Sequence, residues 1–151
     1  MSRIDIAGAP RKVGSAYPPP LDERHRTIQR IKLAAAGGLS QFGVNLTRLP
    51  HGDWSSQRHW HIAEDEFVFV LEGEAVLVTG QGEQTLKAGD CAAFPAGLRD
   101  GHHLQNRSAA DVLLLEIGSR RPAQDACHFP DQGLAFGRGA VPVPYLNEAA
   151  A

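Results

Sequence analysis

The sequence has few of the features that mark secreted or membrane-embedded proteins. It contains two cysteines, Cys91 and Cys127, in 151 residues. That is too few for the disulfide framework of a small secreted domain, so we expect both thiols to be reduced. The N-terminus lacks the apolar segment of a signal peptide, and no stretch approaches the roughly 18 apolar residues of a membrane-spanning helix. These absences predict a cytoplasmic protein.

The sequence also lacks a large excess of positive or negative charge. The chain has 15 Lys and Arg residues against 17 Asp and Glu residues, a formal net charge of -2, and no block of basic residues. Nothing therefore attracts it electrostatically to nucleic acid or to an anionic membrane, and we expect a small-molecule partner. A content of 42% hydrophobic and 21% charged residues suits one globular domain with a substantial core.

Short apolar runs separated by glycine and proline turns fill the middle of the chain. The predicted strands cover residues 39–49, 54–61, 66–71, 74–79, 83–87, 91–94, 102–107 and 112–117. Gly73 predicts a hairpin turn after 66–71, because glycine accepts the positive φ that such turns require. Residues 21–33 fit either a short helix capped by Asp22 or an edge strand, and we favour the strand. This spacing predicts an all-β sandwich or barrel rather than a parallel α/β sheet.

Histidines are concentrated in the same region. His59 and His61 are two positions apart, so on a strand they point to the same side, and Glu66 can reach that point from the next strand. Further along, His102 and His103 follow a Pro/Gly turn. Three nitrogens and one oxygen would bind a first-row transition metal and leave positions open for water or substrate.

The spacing of these residues resembles the two sequence motifs of the cupin superfamily. The first reads Gly52, six residues, His59-x-His61, four residues, Glu66, six residues and Gly73. The second reads Gly89, five residues, Pro95-x-Gly97, four residues, His102, three residues and Asn106. The resemblance covers 52–106 by motif and roughly 39–117 by strand pattern. It implies a single double-stranded β-helix, the jelly-roll barrel of cupins.

Compared with the second cupin motif, this sequence has two additional residues between Gly97 and the histidine. They leave a choice between His102 and His103 as the last ligand. Side chains alternate along a strand, so His102 shares a face with Leu104 and Asn106, whereas His103 faces the other side. We therefore predict His102. The expected cofactor is one divalent transition metal per chain, Fe, Mn, Zn, Ni, Co or Cu, bound by His59, His61, Glu66 and His102.

The resemblance also implies a function. It favours a metal-dependent enzyme that acts on a small polar metabolite, similar to the cupins grouped with sugar-phosphate isomerases. The alternatives are a non-haem metal dioxygenase or lyase, and a non-catalytic cupin that binds a small ligand. Candidate substrate-binding side chains are Arg99 in the loop beside the site, Gln57 on the predicted face of the histidines, and His103.

The two ends of the chain depart from the strand pattern. Residues 1–20 are rich in glycine and proline and predict an extended N-terminal arm, followed by the barrel at 21–118. Residues 119–151 predict an irregular C-terminal tail. Because the tail carries apolar residues such as Phe129 and Phe136, it should pack on the barrel or on a second subunit. We expect a homodimer.

Overall fold

The structure, a computed structural model, describes residues 3–137 and consists mainly of strands. Within those residues, the short helix α1 (Leu33–Ala36) lies between the second and third of twelve strands. The strands are β1 (Arg11–Val13), β2 (Gln29–Lys32), β3 (Phe42–Leu49), β4 (Trp60–His61), β5 (Glu66–Glu72), β6 (Glu74–Thr79), β7 (Gly82–Lys87), β8 (Cys91–Phe94), β9 (His103–Gln105), β10 (Val112–Ser119), β11 (Ala126–Phe129) and β12 (Leu134–Gly137).

The strands form three antiparallel sheets. The large sheet has the order β1-β2-β3-β10-β5-β8, and the two small ones have the orders β7-β6-β9 and β12-β11-β4. The core joins the large sheet to the β7-β6-β9 sheet, since Val70 and Leu114 from the former belong to one apolar cluster with Leu77 and Leu104 from the latter. The predicted all-β jelly roll is confirmed.

Strands β3 and β10 form the centre of the large sheet and set the shape of the interior. In their register Gly43 lies opposite Gly118, and Asn45 lies opposite Glu116. Directly opposed residues of an antiparallel pair project to the same face. All four residues line the cavity described below, so this face of the sheet is the one that carries the site.

The hairpin predicted around Gly73 is wrong. Strand β5 pairs with β10 and β8, whereas β6 pairs with β7 and β9, so the chain passes from one sheet to another at this glycine. Gly73 has a φ of 80°, and a Cβ atom there would lie 3.0 Å from the Asp111 carbonyl oxygen. A corner and a hairpin both require glycine, which is why the local sequence did not distinguish them.

The strand predicted at 54–61 is shorter than expected. Only Trp60–His61 forms β4, while Trp54 and His59 make isolated bridges to Gln105 and His102. Residues 55–58 between the bridges are bent. Strand alternation therefore holds from His59 to His61 and does not extend back to Gln57.

The N-terminal segment contributes to the large sheet. The strand predicted within 21–33 is confirmed at Gln29–Lys32, but it is not at the edge, because β1 pairs with its outer side. The turn before it, where a helix was the alternative, instead holds Asp22 in an ion pair with Arg26, 3.0 Å between Oδ2 and Nε. No helix in the described part of the chain is long and apolar enough to cross a membrane.

Part of the predicted irregular tail is a hairpin. Strands β11 and β12 pair around a turn at Gly133, and β11 also pairs with β4, with Cys127 opposite His61. Strand β11 thereby provides backbone hydrogen-bond partners for the two-residue strand β4. Residues 138–151 lie outside the described residues, and packing on a second subunit stays a prediction.

Candidate metal centre

The inner face of β3 and β10 borders a cavity of about 390 Å³. This volume is in the range of pockets that enclose small metabolites. Its lining includes three histidines, two glutamates, two arginines, one tyrosine and one cysteine. These side chains can bind the polar groups of a small ligand.

Three histidine Nε2 atoms converge on the Glu66 carboxylate. The distance to Oε2 is 2.9 Å from His102 and 3.3 Å from His59, and the distance from His61 to Oε1 is 3.5 Å. The histidine side chains are between 5% and 13% exposed. The structure thus brings together the four residues that the sequence singled out as ligands.

The Nδ1 atoms of two of these histidines are fixed by acceptors. His59 donates to the Gln57 carbonyl oxygen at 2.9 Å, and His61 donates to Asp125 Oδ2 at 2.7 Å. Asp125 is fully buried, and its other oxygen accepts from the Ala63 amide at 3.0 Å. Acceptors of this kind fix the tautomer and orientation of metal-binding histidines, which leaves Nε2 directed at the cavity.

The cluster is strongly coupled electrostatically. Burial opposes ionisation of Glu66, but hydrogen bonds from His102, His59 and His61 hold its pKa well below the usual value. Burial also opposes protonation of His61, yet hydrogen bonds with Cys127 and Glu66 raise its pKa to about 11. For His102 burial prevails, and its pKa is lowered. Glu66 is therefore ionised at neutral pH and offers an anionic oxygen.

The donor set fits a divalent transition metal. The ligand atoms of His59, Glu66 and His102 lie within 4.8 Å of one another, and so do those of His59, His61 and Cys127. Imidazole nitrogens with one carboxylate suit Fe, Mn, Zn, Ni, Co or Cu. Burial raises the pKa of the Cys127 thiol, so it remains neutral and lines the site as a weak donor.

The orientation of the two adjacent histidines follows the predicted alternation. His102 and Leu104 line the cavity. His103 lies within the wall, where Nδ1 donates to the Ser56 carbonyl oxygen at 2.9 Å and Nε2 is 3.0 Å from Gln105 Nε2. Burial lowers the pKa of His103 to about 4, so its ring is neutral.

All three predicted substrate-binding residues lie outside the cavity lining. The Arg99 guanidinium is 5.9 Å from the centroid of the Trp60 ring, on the side of β4 opposite the histidines. Gln57 uses its amide within the protein, donating to the Leu21 carbonyl oxygen at 2.8 Å and accepting from Gln132 at 3.1 Å. Neither residue lines the cavity, and neither does His103.

The cavity also contains residues that the sequence analysis missed. They are Tyr17, Arg30, Glu116, Arg120 and Cys127, with Asp125 behind His61. Arg30 Nε donates to Glu116 Oε2 at 2.9 Å, and Thr47 Oγ1 donates to the same oxygen at 2.6 Å. The Tyr17 hydroxyl accepts from the Gln57 amide at 3.3 Å, and burial raises its pKa to about 12.

Only one of these residues had a usable signal in the sequence. Glu116 is a charged residue inside the apolar run of β10, an unusual position for a strand of the core. The others come from segments before and after the motifs, where no local pattern indicates which side chain turns inward.

Comparison with known proteins agrees with the fold. The family model described as a cupin domain matches residues 45–118. A solved structure from Silicibacter pomeroyi, described as a sugar phosphate isomerase from a cupin superfamily, is 44% identical to this chain. Its TM-score is 0.84, and the match covers 89% of this chain and 85% of that one. A protein from Acidithiobacillus ferrooxidans, whose name assigns it provisionally to the sugar phosphate isomerases, is 28% identical, with a TM-score of 0.72 over 78% of this chain and 76% of that one. No curated protein shows a significant match.

Proposed function

We propose that this chain, which belongs to the cupin superfamily, is a metal-dependent isomerase of a small phosphorylated sugar. The observation that carries the proposal is the convergence of three histidine Nε2 atoms on Glu66 at the wall of a 390 Å³ cavity. The name of the 44% identical protein from Silicibacter pomeroyi supports the choice of substrate class.

In this proposal His59, His61, Glu66 and His102 hold the metal. These residues would hold a divalent ion, which would supply Lewis-acid chemistry toward a sugar carbonyl and its neighbouring hydroxyl group. Asp125 keeps the His61 ring in place through the 2.7 Å hydrogen bond at Nδ1. The apolar side chains of Phe67, Val68 and Phe94 on the cavity wall limit the access of water.

Sugar isomerisation through an enediolate also needs a group that moves a proton between adjacent carbons. The described cavity residues include two carboxylates, Glu66 and Glu116, and only Glu116 is outside the proposed ligand set. Its Oε2 accepts from Arg30 and Thr47, and its Oε1 has only a 3.5 Å contact with Arg30 Nη2. We assign Oε1 as the proton acceptor. The neutral Tyr17 hydroxyl, whose oxygen accepts from Gln57, keeps its own proton to donate to a substrate oxygen.

Solvent deuterium exchange tests this assignment. The metal-loaded protein is incubated in D2O with a panel of aldose and ketose phosphates, and deuterium at the carbons next to the carbonyl is measured by NMR. We expect exchange with at least one substrate. Glu116→Gln should slow it at least ~100-fold, the usual contribution of a general base, with metal content unchanged. Glu83→Gln, which alters an exposed carboxylate paired with Arg107, is the matched control.

The same panel separates the alternatives. No exchange and no interconversion of aldose and ketose with any sugar phosphate would contradict the isomerase proposal. Oxygen uptake with catechols or keto acids would then favour a dioxygenase, and ligand binding without turnover would favour a non-catalytic cupin.

A further inference from the structure

The side chain of Arg120 lies at the rim of the cavity, against the backbone of β3. Arg120 is exposed to solvent and lines the cavity. A Cβ atom built on Gly43 would overlap its Nη2 atom and lie 2.8 Å from its Cζ atom. The backbone amide of Arg120 donates to the Gln41 carbonyl oxygen at 3.0 Å. The guanidinium thus occupies space that a side chain at position 43 would fill.

Two opposed glycines lie at this end of the strands. Gly43 and Gly118 are register partners in the β3 and β10 pair, and both line the cavity. Neither has a positive φ, so the backbone conformation does not require glycine at either position. The guanidinium occupies the space beside Gly43, whereas a Cβ atom on Gly118 would lie 3.4 Å from the Asp65 carbonyl oxygen. Arg120 follows Gly118 by two positions and lies against Gly43.

The charge of Arg120 is available to a ligand. The other arginine of the cavity, Arg30, is paired with Glu116 at 2.9 Å. Arg120 forms no ion pair with an acidic side chain in the described part of the chain, residues 3–137. A guanidinium offers two parallel N–H donors that match the oxygens of a phosphate or a carboxylate.

We infer that Arg120 binds the anionic group of the substrate, a phosphate or a carboxylate, at the rim of the cavity. The remainder of the substrate then extends toward the histidines. This inference rests on the proposed function for the sugar portion of the ligand, but recognition of the anion is tested by binding alone.

The first test compares Arg120→Gln with Arg121→Gln. Arg121 is the adjacent exposed arginine and does not line the cavity, so the control removes the same charge from the same segment. Binding of fructose 6-phosphate, fructose, glucuronate and inorganic phosphate to the metal-loaded proteins is measured by calorimetry. For Arg120→Gln we expect the Kd of the anionic probes to rise about 10- to 100-fold, as for loss of a charged hydrogen-bond donor. The Kd of fructose should not change, and Arg121→Gln should resemble the wild type.

The probes separate phosphate from carboxylate recognition. A loss confined to fructose 6-phosphate and inorganic phosphate assigns a phosphate, and a loss confined to glucuronate assigns a carboxylate. The inference would be overturned if Arg120→Gln bound the anionic probes as tightly as Arg121→Gln does. It would also be overturned if Arg120→Gln lost fructose binding as much as anion binding, or if the wild-type protein bound no anionic probe.

The second test moves the guanidinium without removing its charge. In Gly43→Ala the three atoms nearest the new methyl group all belong to the flexible end of Arg120, so the fold should be kept while the guanidinium is displaced. We expect weaker binding of the same anion. In the Arg120→Gln background, however, Gly43→Ala should have little further effect, because the two changes act on one contact. Unchanged anion binding by Gly43→Ala would contradict the geometry.

The two proposals can fail separately. If the isomerase proposal is wrong, deuterium exchange is absent while anion binding still depends on Arg120. If the inference about Arg120 is wrong, the Arg120→Gln protein binds the anions normally, whatever the exchange experiment shows.

Discussion

Two sets of buried histidines behave differently in this protein. The cavity histidines, His59, His61 and His102, direct Nε2 at a common carboxylate. The wall histidines, His25 and His103, are equally enclosed, at 0% and 3% exposure, but both nitrogens of each ring meet neutral groups of the protein.

His25 illustrates the second type. Its Nδ1 donates to the Trp54 carbonyl oxygen at 3.0 Å, and its Nε2 accepts from Gln57 Nε2 at 3.1 Å. Burial lowers its pKa. Burial alone therefore does not identify a functional histidine. The group that Nε2 meets distinguishes the two sets. With a neutral amide as that partner the ring is a structural element, and with an anion it becomes a candidate ligand.

The largest expected difference between the two sets is in metal binding. The wild type should bind about one divalent ion per chain, at roughly 2.1 Å from nitrogen if the ion is zinc. His61→Ala and His102→Gln should each weaken binding more than ~100-fold, beyond the effect of losing an orienting partner. His103→Gln, a change in the wall set, should keep the ion. Metal analysis after dialysis decides the question, and loss of metal in His103→Gln with retention in His102→Gln would show that the strand register is different.

The next effect concerns the partner of a cavity histidine. Asp125→Asn removes the charge that holds the Nδ1 proton of His61, and we expect metal affinity to fall about 10- to 100-fold. Asp131→Asn is the control, because Asp131 pairs with Arg58 at the surface. Competition with a chromophoric chelator gives both affinities. An Asp125→Asn protein with wild-type affinity would show that Asp125 has only a structural role.

The features that the sequence predicts depend on local patterns, and those that it does not predict depend on contacts between distant segments. The four candidate ligands lie in short segments where strand alternation operates, so spacing alone was enough to place His102 rather than His103 at the cavity. The prediction failed for Gln57, because the chain bends between it and His59. A bend of this kind depends on bridges to another strand, which the local sequence does not reveal.

The fold shows the same limit. Individual strands such as β6 and β10 were predictable from their apolar patterns, whereas the assignment of β5 and β6 to different sheets was not. Asp125 and Arg120 were missed for a related reason. Each reaches the site through pairing between residues far apart in the chain, and pattern analysis within one segment carries no such information.

A smaller effect is expected when a wall histidine is changed. His25→Gln leaves at least one of the two buried partners of the ring without its hydrogen bond, at a cost of about 1 to 3 kcal/mol in the free energy of unfolding. Metal affinity should not change. His51→Gln, at an exposed histidine, should stay within about 0.5 kcal/mol of the wild type. Urea unfolding with and without metal measures both quantities, and loss of metal in His25→Gln would remove the distinction between the two sets.

The smallest effect is a pH dependence that belongs to the wall set. Burial is the main cause of the lowered pKa of His25, and the charge of Arg30 adds to it, while the Trp54 hydrogen bond, Asp53 and Asp22 oppose it. Between the unfolded pKa near 6.5 and the lower folded pKa, the unfolded chain binds the extra proton and the folded protein does not, so stability falls as the pH decreases through that interval. His25→Gln cannot take up this proton. In chelator-treated proteins, the stability advantage of the wild type over His25→Gln should therefore be full above pH 6.5 and should shrink below it. His103 and the cavity histidines are common to both proteins, so their contributions cancel in the difference. A difference in unfolding free energy that stays constant across this pH interval would show that His25 is protonated equally in the folded and unfolded states.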